Sequence, residues 1–280
     1  MPELPEVETT LRGIEPYLKG QQINSVKVRQ PRLRWPVSSR LFTLSNSRVY
    51  SLKRRAKYLL IEIENTRQGV LAKGPAYIII HLGMSGSLRI VENDTPLKKH
   101  DHIDFHLSNN KIMRYHDPRR FGAVLWTDQS IQQHDLLKKL GPEPLDGTFD
   151  GHHLFKASRK RKIAVKNLIM DSHVVVGVGN IYASEALFLA GVRPGLAAGR
   201  ISAKKYDAIA IAIKKVLTDA IKMGGTTLRD FVNTEGNPGY FQQTLNVYGR
   251  KDEACRICSK AIQMKVIGQR STFYCPQCQH

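Results

Sequence analysis

Apolar residues recur at helical spacing at the start of the chain, at Leu4, Val7, Leu11, Ile14 and Leu18, with Glu3, Glu6 and Glu8 crowding the positive end of a helix dipole. The spacing predicts a helix over residues 4–20, with Pro16 expected to break or kink it and Gly20 closing the segment. From 21 to 126 the period shortens. Ile23, Val26 and Val28, then Tyr58 to Ile63, then Tyr77 to His81 form short β-type runs. His102 to Leu107 alternates, and a Ser108-Asn109-Asn110 turn leads into Lys111 to Tyr115. Many short strands after one helix predict a β-sandwich or flattened barrel. Residues 64–76 read as a polar, Gly-containing loop.

The run Gly141-Pro142-Glu143-Pro144-Leu145-Asp146-Gly147 reads as a linker, and beyond it the pattern is helical. An apparent helix covers Ala183 to Ala190. Ser202 is placed to cap another, which carries Tyr206, Ile209, Ile213, Val216 and Ala220 on one stripe and ends at Gly224-Gly225. The expected class is α+β. The expected organisation is a β-rich domain over 1–140, a linker over 141–151, a helical domain over 152–245 and a cysteine-bearing ribbon over 246–280.

All four cysteines fall in that ribbon, as Cys255-x-x-Cys258 and Cys275-x-x-Cys278 with 16 residues between the pairs. Each C-x-x-C turn can aim two sulfurs at one ion, and two such turns complete a tetrahedron around one structural Zn²⁺. A pair of disulfides is the competing reading. It requires an oxidising compartment, and the acidic start Met1-Pro2-Glu3-Leu4-Pro5-Glu6 lacks the basic-then-apolar form of an export signal. No stretch approaches the ~18 apolar residues of a membrane span, so the protein is expected to be soluble, cytoplasmic, without a membrane partner, and by default a monomer.

Lys plus Arg number 43 against 24 Asp plus Glu, a formal charge of +19. One zinc with four thiolates changes this by only about −2. Such an excess favours a polyanionic partner bound with salt-sensitive affinity; a surface tuned for solubility is the blander alternative.

Several short segments can carry chemistry. With Met1 removed, Pro2 presents a secondary α-amine, which titrates near pH 8 and so is partly an unprotonated nucleophile at neutral pH. Glu3 beside it can move protons. Pro and Glu also begin helices well, and from these residues alone that is the better account. Lys57 lies in a basic edge before a strong strand, where surface or phosphate contact is the ordinary role. Met84 sits in a Gly-rich turn, and Arg119 and Phe121 sit in Asp117-Pro118-Arg119-Arg120-Phe121-Gly122. These are either core filler and a basic loop, or wedges and guanidiniums for a distorted duplex. Gly177-Val178-Gly179-Asn180 precedes a helix and suits a backbone phosphate better than a dinucleotide.

Together the segments PELPEVE, RRAKYLL, HLGMSGSLRI, DPRRFGA, VGVGNIYASEALF, GGTTLRDF and QRSTFYCPQCQ resemble the formamidopyrimidine-DNA glycosylase family, in its order and almost end to end. The resemblance implies an N-terminal β-sandwich with an N-terminal helix, followed by a helix–two-turns–helix domain with a zinc finger. It implies a bacterial base-excision enzyme, associated with the nucleoid through double-stranded DNA, that removes oxidised purines and nicks the strand. By the same resemblance Pro2 is the Schiff-base nucleophile, Glu3 the adjacent acid/base, Lys57 the proton donor for β-elimination and Arg270 the finger arginine for δ-elimination. His100, Arg119 and Arg161 match DNA contacts, Asn180 a phosphate contact, and Met84, Arg119 and Phe121 the trio that fills the space of an everted nucleotide. The segment 229–241 resembles a loop that closes over the flipped base, and 65–76 is longer than the family's usual hairpin. The related endonuclease VIII type, acting on oxidised pyrimidines, and a non-catalytic DNA-binding protein are the rival readings.

Overall fold

The computed structural model describes residues 2–64, 66–67, 70–71, 75–225 and 244–280. The proposed base-closing loop at 229–241 therefore lies outside the described residues. The chain divides into two units, residues 1–138 with 224–240 and residues 139–223 with 241–280.

In the first unit, α1 (Leu4–Leu18) buries Leu4, Val7, Leu11, Ile14 and Leu18, the stripe that the spacing predicts. Glu3 is its N-cap. The Glu3 carboxylate accepts the Glu6 N–H, and the Glu6 carboxylate accepts the Glu3 N–H at 2.8 Å, a reciprocal capping box. Pro16 does not break the helix, which continues to Leu18. It lies in the last turn on an exposed face shared with Arg12, so the carbonyl it leaves without a donor can be met by water.

The strands follow as β1 (Gln22–Val28), β2 (Ser47–Arg55), β3 (Tyr58–Ile63), β4 (Thr66–Arg67), β5 (Val70–Leu71), β6 (Ala76–His81), β7 (Ser87–Glu92), β8 (Asp101–Leu107), β9 (Lys111–His116) and β10 (Ala123–Thr127). Eight of them form an antiparallel sheet in the order β10-β6-β3-β2-β1-β8-β9-β7. β1 meets β2 through only two residue pairs, Gln22↔Arg48 and Ile23↔Ser47. The sheet folds at that weak seam into a sandwich. Val7, Ile14, Ile61, Ile78, Phe105 and Tyr115 belong to the one core that its layers and α1 share.

β4 and β5 pair with each other inside the segment expected to be a loop. Periodicity also missed β2, β7 and β10. β2 carries only Val49 and Leu52 as buried apolar positions among arginines, lysine and serines, so its alternation is faint in the sequence.

The second unit contains α2 (Gly151–Ser158), α3 (Val165–Met170), α4 (Asn180–Leu189) and α5 (Ala203–Lys222). α2 and α3 are too short to show a period. The turns over 171–179 join α3 to α4, the helix–two-turns–helix arrangement. Ser202 caps α5 by accepting the Lys205 N–H, and α5 buries Tyr206, Ile209, Ile213, Val216 and Ala220 as expected. β11 (Gln263–Ile267) and β12 (Arg270–Tyr274) form a hairpin whose two loop residues, Gly268 and Gln269, have φ of 56° and 61°. That is the backbone of a tight I′ turn.

Candidate active site and zinc centre

Pro2 is buried and directly precedes the N-cap Glu3, so it lies outside the helix. Pro5 is the proline of the first turn. The helix-start explanation accounts for Pro5 and for the cap, but gives Pro2 no role. Glu3 is 2 % exposed, and its carboxylate is fixed by the capping box beside Pro2.

Ala56 and Lys57 form the two-residue loop between β2 and β3, closed by the pair Arg55↔Tyr58. Ala56 is buried with φ of 55°, a left-handed backbone that costs a non-glycine residue about 1–2 kcal/mol. Arg54 holds this turn. Its Nη1 donates to the Ala56 carbonyl at 3.1 Å and its Nε to Glu8 Oε2 of α1 at 2.9 Å.

His81 pairs with Tyr58 across β6 and β3, with ring centroids 5.0 Å apart. Its Nδ1 accepts the Gly83 N–H at 3.0 Å, so the neutral ring keeps its proton on Nε2 as a donor. Burial, together with the charges of Lys57 and Arg34, pushes its pKa down to about 4. No pattern in the sequence singles out His81; its place just before the Gly83 turn is the available signal.

The turn carrying Met84 and the loop carrying Arg119 and Phe121 lie against each other. A Cβ on Gly83 would come within 2.4 Å of Gly122 N and Phe121 C, so only glycine permits this approach, and Gly83 also has φ of 68°. The Arg119 guanidinium lies 5.0 Å from the Phe121 ring centroid, and Phe121 is 46 % exposed. His100 has φ of 117°, and its carbonyl accepts the Asp117 N–H at 3.1 Å. Its ring lies edge-on to His102 and His116, at 6.1 and 6.0 Å.

A buried ionic network supports the strands that carry these residues. Arg114 grips Asp104 through Nε at 2.9 Å and Nη2 at 3.0 Å, and its Nη1 donates to the Thr95 and Pro96 carbonyls. Asp101 accepts from Arg89, from the Lys98 N–H and from His116. Burial alone would raise both carboxyls. The Lys98 N–H, His116 and Arg89 hold Asp101 below the usual range, and Arg29 and Arg114 do the same for Asp104.

In the second unit, Asn180 opens α4 and its Nδ2 donates to the Ser271 carbonyl at 3.0 Å. Arg270, at the start of β12 next to Ser271, is exposed. Lys166, fully buried, donates to Thr272 Oγ1 at 2.7 Å and to the Ser271 carbonyl at 3.3 Å. A Cβ on Gly268 would come within 2.6 Å of Asn167 Nδ2. Asn180, Lys166 and Asn167 thus seat the hairpin that presents Arg270. Arg161 is exposed and pairs with Asp171 at 3.5 Å. Glu185 is likewise marked by no pattern in the sequence. It is buried and accepts from the backbone of Asn246, Val247 and Tyr248 and from Asn246 Nδ2, all within 3.0 Å. A lone Glu in an apolar helix was its only sequence signal.

The four cysteine sulfurs lie within 4.8 Å of one another, and none is in a disulfide. Tetrahedral Zn–S bonds of about 2.3 Å require sulfurs about 3.8 Å apart; Cys255 and Cys278 are 3.9 Å apart, and Cys258 and Cys275 3.4 Å. Burial opposes ionisation of Cys255, yet the Cys258 and Ile257 N–H groups bring it down to about 7. Burial and the crowding sulfurs push Cys278 up. Such a cluster ionises fully only around a cation.

Family models match three stretches: the formamidopyrimidine-DNA glycosylase N-terminal domain over residues 1–124, the H2TH domain of the same enzymes over 140–232, and a zinc finger found in FPG and IleRS over 252–280. The formamidopyrimidine-DNA glycosylase of Alcanivorax borkumensis is 57 % identical over 279 residues, covering 100 % of both chains. That of Thioalkalivibrio sulfidiphilus is 55 % identical over 280 residues, with the same coverage. Among solved structures, a Lactococcus lactis FPG mutant in complex with Fapy-dG-containing DNA is 32 % identical with a TM-score of 0.90, covering 100 % of both chains. The MutM (FPG) protein of Thermus thermophilus is 32 % identical with a TM-score of 0.86, covering 99 % of this chain and 98 % of that one. With the finger match and the sulfur geometry, Cys255, Cys258, Cys275 and Cys278 are the ligands of one structural zinc ion.

Proposed function

The chain belongs to the formamidopyrimidine-DNA glycosylase family, and on that premise we propose Pro2 as the nucleophile of its reaction, with Glu3, Lys57 and Arg270 as the groups that move protons or bind the departing phosphates. The protein is a base-excision-repair DNA glycosylase and AP lyase for oxidised purines, 8-oxoguanine and formamidopyrimidines among them, and its partner is DNA.

The Pro2 amine attacks the sugar C1′, the damaged base leaves with the electron pair of the glycosidic bond, and the amine's N–H proton passes to the departing base. Glu3 donates a proton to the ring oxygen O4′, which opens the sugar and leaves C1′ as an iminium on Pro2. The iminium acidifies C2′. Glu3, left as a carboxylate, takes the C2′ proton, and the electron pair expels the 3′ phosphate, to which Lys57 donates a proton. A second elimination, assisted by Arg270, expels the 5′ phosphate, and water then releases the sugar fragment from Pro2. Met84, Arg119 and Phe121 fill the space of the everted nucleotide, while His100, Arg161 and Asn180 bind the DNA strand. Residues 1–140 carry base release and the first elimination, 141–151 link, and 152–245 and 246–280 grip the duplex, the last also supplying Arg270. The zinc ion holds its hairpin and takes no part in bond making. The enzyme works as a cytoplasmic monomer, nucleoid-bound through DNA and without a membrane partner; no helix among the described residues is long and apolar enough to cross a membrane.

One observation supports the Pro2 assignment above the others: a buried proline outside the helix, next to a carboxylate already fixed in place. Borohydride trapping on duplexes carrying 8-oxoguanine or an oxidised pyrimidine tests it. A covalent adduct forms on the purine lesion and is lost in Pro2→Gly. Trapping on the pyrimidine lesion alone would move the assignment to the endonuclease VIII type; no adduct on either, or Met1 retained in the intact mass, would overturn it.

A further inference from the structure

We propose that Asp117 is the positioning residue that makes the Met84 turn and the Arg119–Phe121 loop act as one rigid wedge. The proposal rests on the assignment of Met84, Arg119 and Phe121 to the space of the everted nucleotide.

Asp117 follows the last residue of β9 and is 0 % exposed. Its Oδ1 accepts the Ser85 hydroxyl at 2.9 Å, in the turn next to Met84. Its Oδ2 accepts the Gly122 N–H at 2.9 Å, just past Phe121, and the Tyr115 hydroxyl at 3.2 Å. Ser85 Oγ in turn accepts the Arg119 N–H at 3.3 Å. The Asp117 carbonyl takes the Arg120 N–H at 3.2 Å and His102 Nε2 at 2.8 Å. Through its carboxylate and its carbonyl, one buried residue therefore holds one turn and both ends of the other loop.

The backbones leave no slack around it. A Cβ on Gly122 would come within 1.8 Å of the Tyr115 hydroxyl, and one on Gly86 within 2.9 Å of the same atom. Two hydroxyls and one amide solvate the carboxylate, a set that offsets burial only while all three donors stay in place. The arrangement favours a single geometry rather than a gain in stability. A wedge between stacked bases has to work against the stack. Two turns that moved independently would yield to it, whereas two turns tied to one carboxylate move together.

The consequence is selective. Eversion of a paired nucleotide requires the rigid wedge; an abasic site, where the stack is already gapped, requires it far less. Asp117→Asn replaces one carboxylate acceptor with an amide donor, Ser85→Ala removes the link to the Met84 turn, and Tyr115→Phe removes a single donor. The test compares single-turnover base release from an 8-oxoguanine duplex with strand cleavage at a preformed abasic site, for the full chain with zinc. Base release falls at least about tenfold in Asp117→Asn and Ser85→Ala, while abasic cleavage falls by less than about threefold. Tyr115→Phe falls between these variants and the wild type. An equal loss in both assays would mean a merely structural role and would overturn the proposal, as would no loss in either. Should Asp117→Asn fail to fold, Ser85→Ala carries the same two outcomes. A wild-type protein inactive on both duplexes would instead sink the reading on which the proposal rests.

Discussion

In the N-terminal unit, residues far apart in sequence are brought together by a sandwich and a set of buried charges. In the C-terminal unit, the metal ligands come from two tight turns within 24 residues. Pro2, Lys57, Met84, His100 and Phe121 each sit at the end or turn of an element, and Arg54, Asp117, Arg114 and the Glu3–Glu6 box fix those ends. The thiolates need only their local turns and one ion. The difference predicts different failures: the finger depends on a ligand that can be removed, and the N-terminal unit depends on pairings that break when one partner is lost or titrated.

The largest effect is expected at the metal. Cys258→Ser, or chelation, removes the ion whose binding supplies on the order of 10 kcal/mol to such modules. Zinc content falls to zero and duplex affinity falls at least about a hundredfold, because the hairpin bearing Arg270 loses its anchor. Unchanged affinity in a fluorescence titration would show that the finger does not grip DNA.

Next comes the ionic network. Arg114→Met leaves Asp104 buried with one cation fewer and strips the Thr95 and Pro96 carbonyls of their donor. A loss of about 3–5 kcal/mol is expected in denaturant unfolding. A loss below about 1 kcal/mol would mean that the charges are not what registers β8 and β9.

Acid provides a gentler comparison. His81 has a folded pKa near 4 against an ordinary value of 6.5. The folded state therefore binds fewer protons in that window, so the contribution of His81 is fully present above about pH 6.5 and is lost as pH falls towards 4. Asp101 and Asp104 are depressed as well, and their contribution is lost only below the usual carboxylate range. His81→Gln flattens the upper part of the acid unfolding curve and leaves the lower part. An unchanged curve between pH 6.5 and 4 would contradict the neutral imidazole.

The smallest effect lies in the finger hairpin. Gln269→Gly relieves a left-handed residue in a turn that favours glycine, raising stability by about 0.5 kcal/mol or less. A clear destabilisation would show that the Gln269 side chain does more than occupy the turn.

The contrast between the units also decides what could be read from the chain. The C-x-x-C spacing, the α1 stripe and the Ser202 cap act over a few residues, so they are written locally, and each appears where the pattern placed it. β2, β7 and β10 show no clear period-2 alternation in the sequence, and their pairing partners lie elsewhere in the sheet. The same limit hid His81, Glu185 and Lys166. Their roles arise from what folding packs around them: the charges of Lys57 and Arg34, three consecutive amides after Asn246 is brought to α4, and the Thr272 hydroxyl. Pro16 shows the reverse case, where a strong local signal was overridden because the helix ends within two residues on an exposed face. Pro2 is ambiguous in sequence because a helix start accounts better for those residues taken alone; in the structure it precedes the N-cap Glu3, and the helix proline is Pro5.

The mechanism is decided by where the covalent bond to DNA forms. Borohydride-trapped complex, digested and mapped by mass spectrometry, should carry the sugar remnant on the amine of an N-terminal peptide that begins at Pro2. A remnant on Lys57, or on any other lysine with Pro2 unmodified, would contradict it.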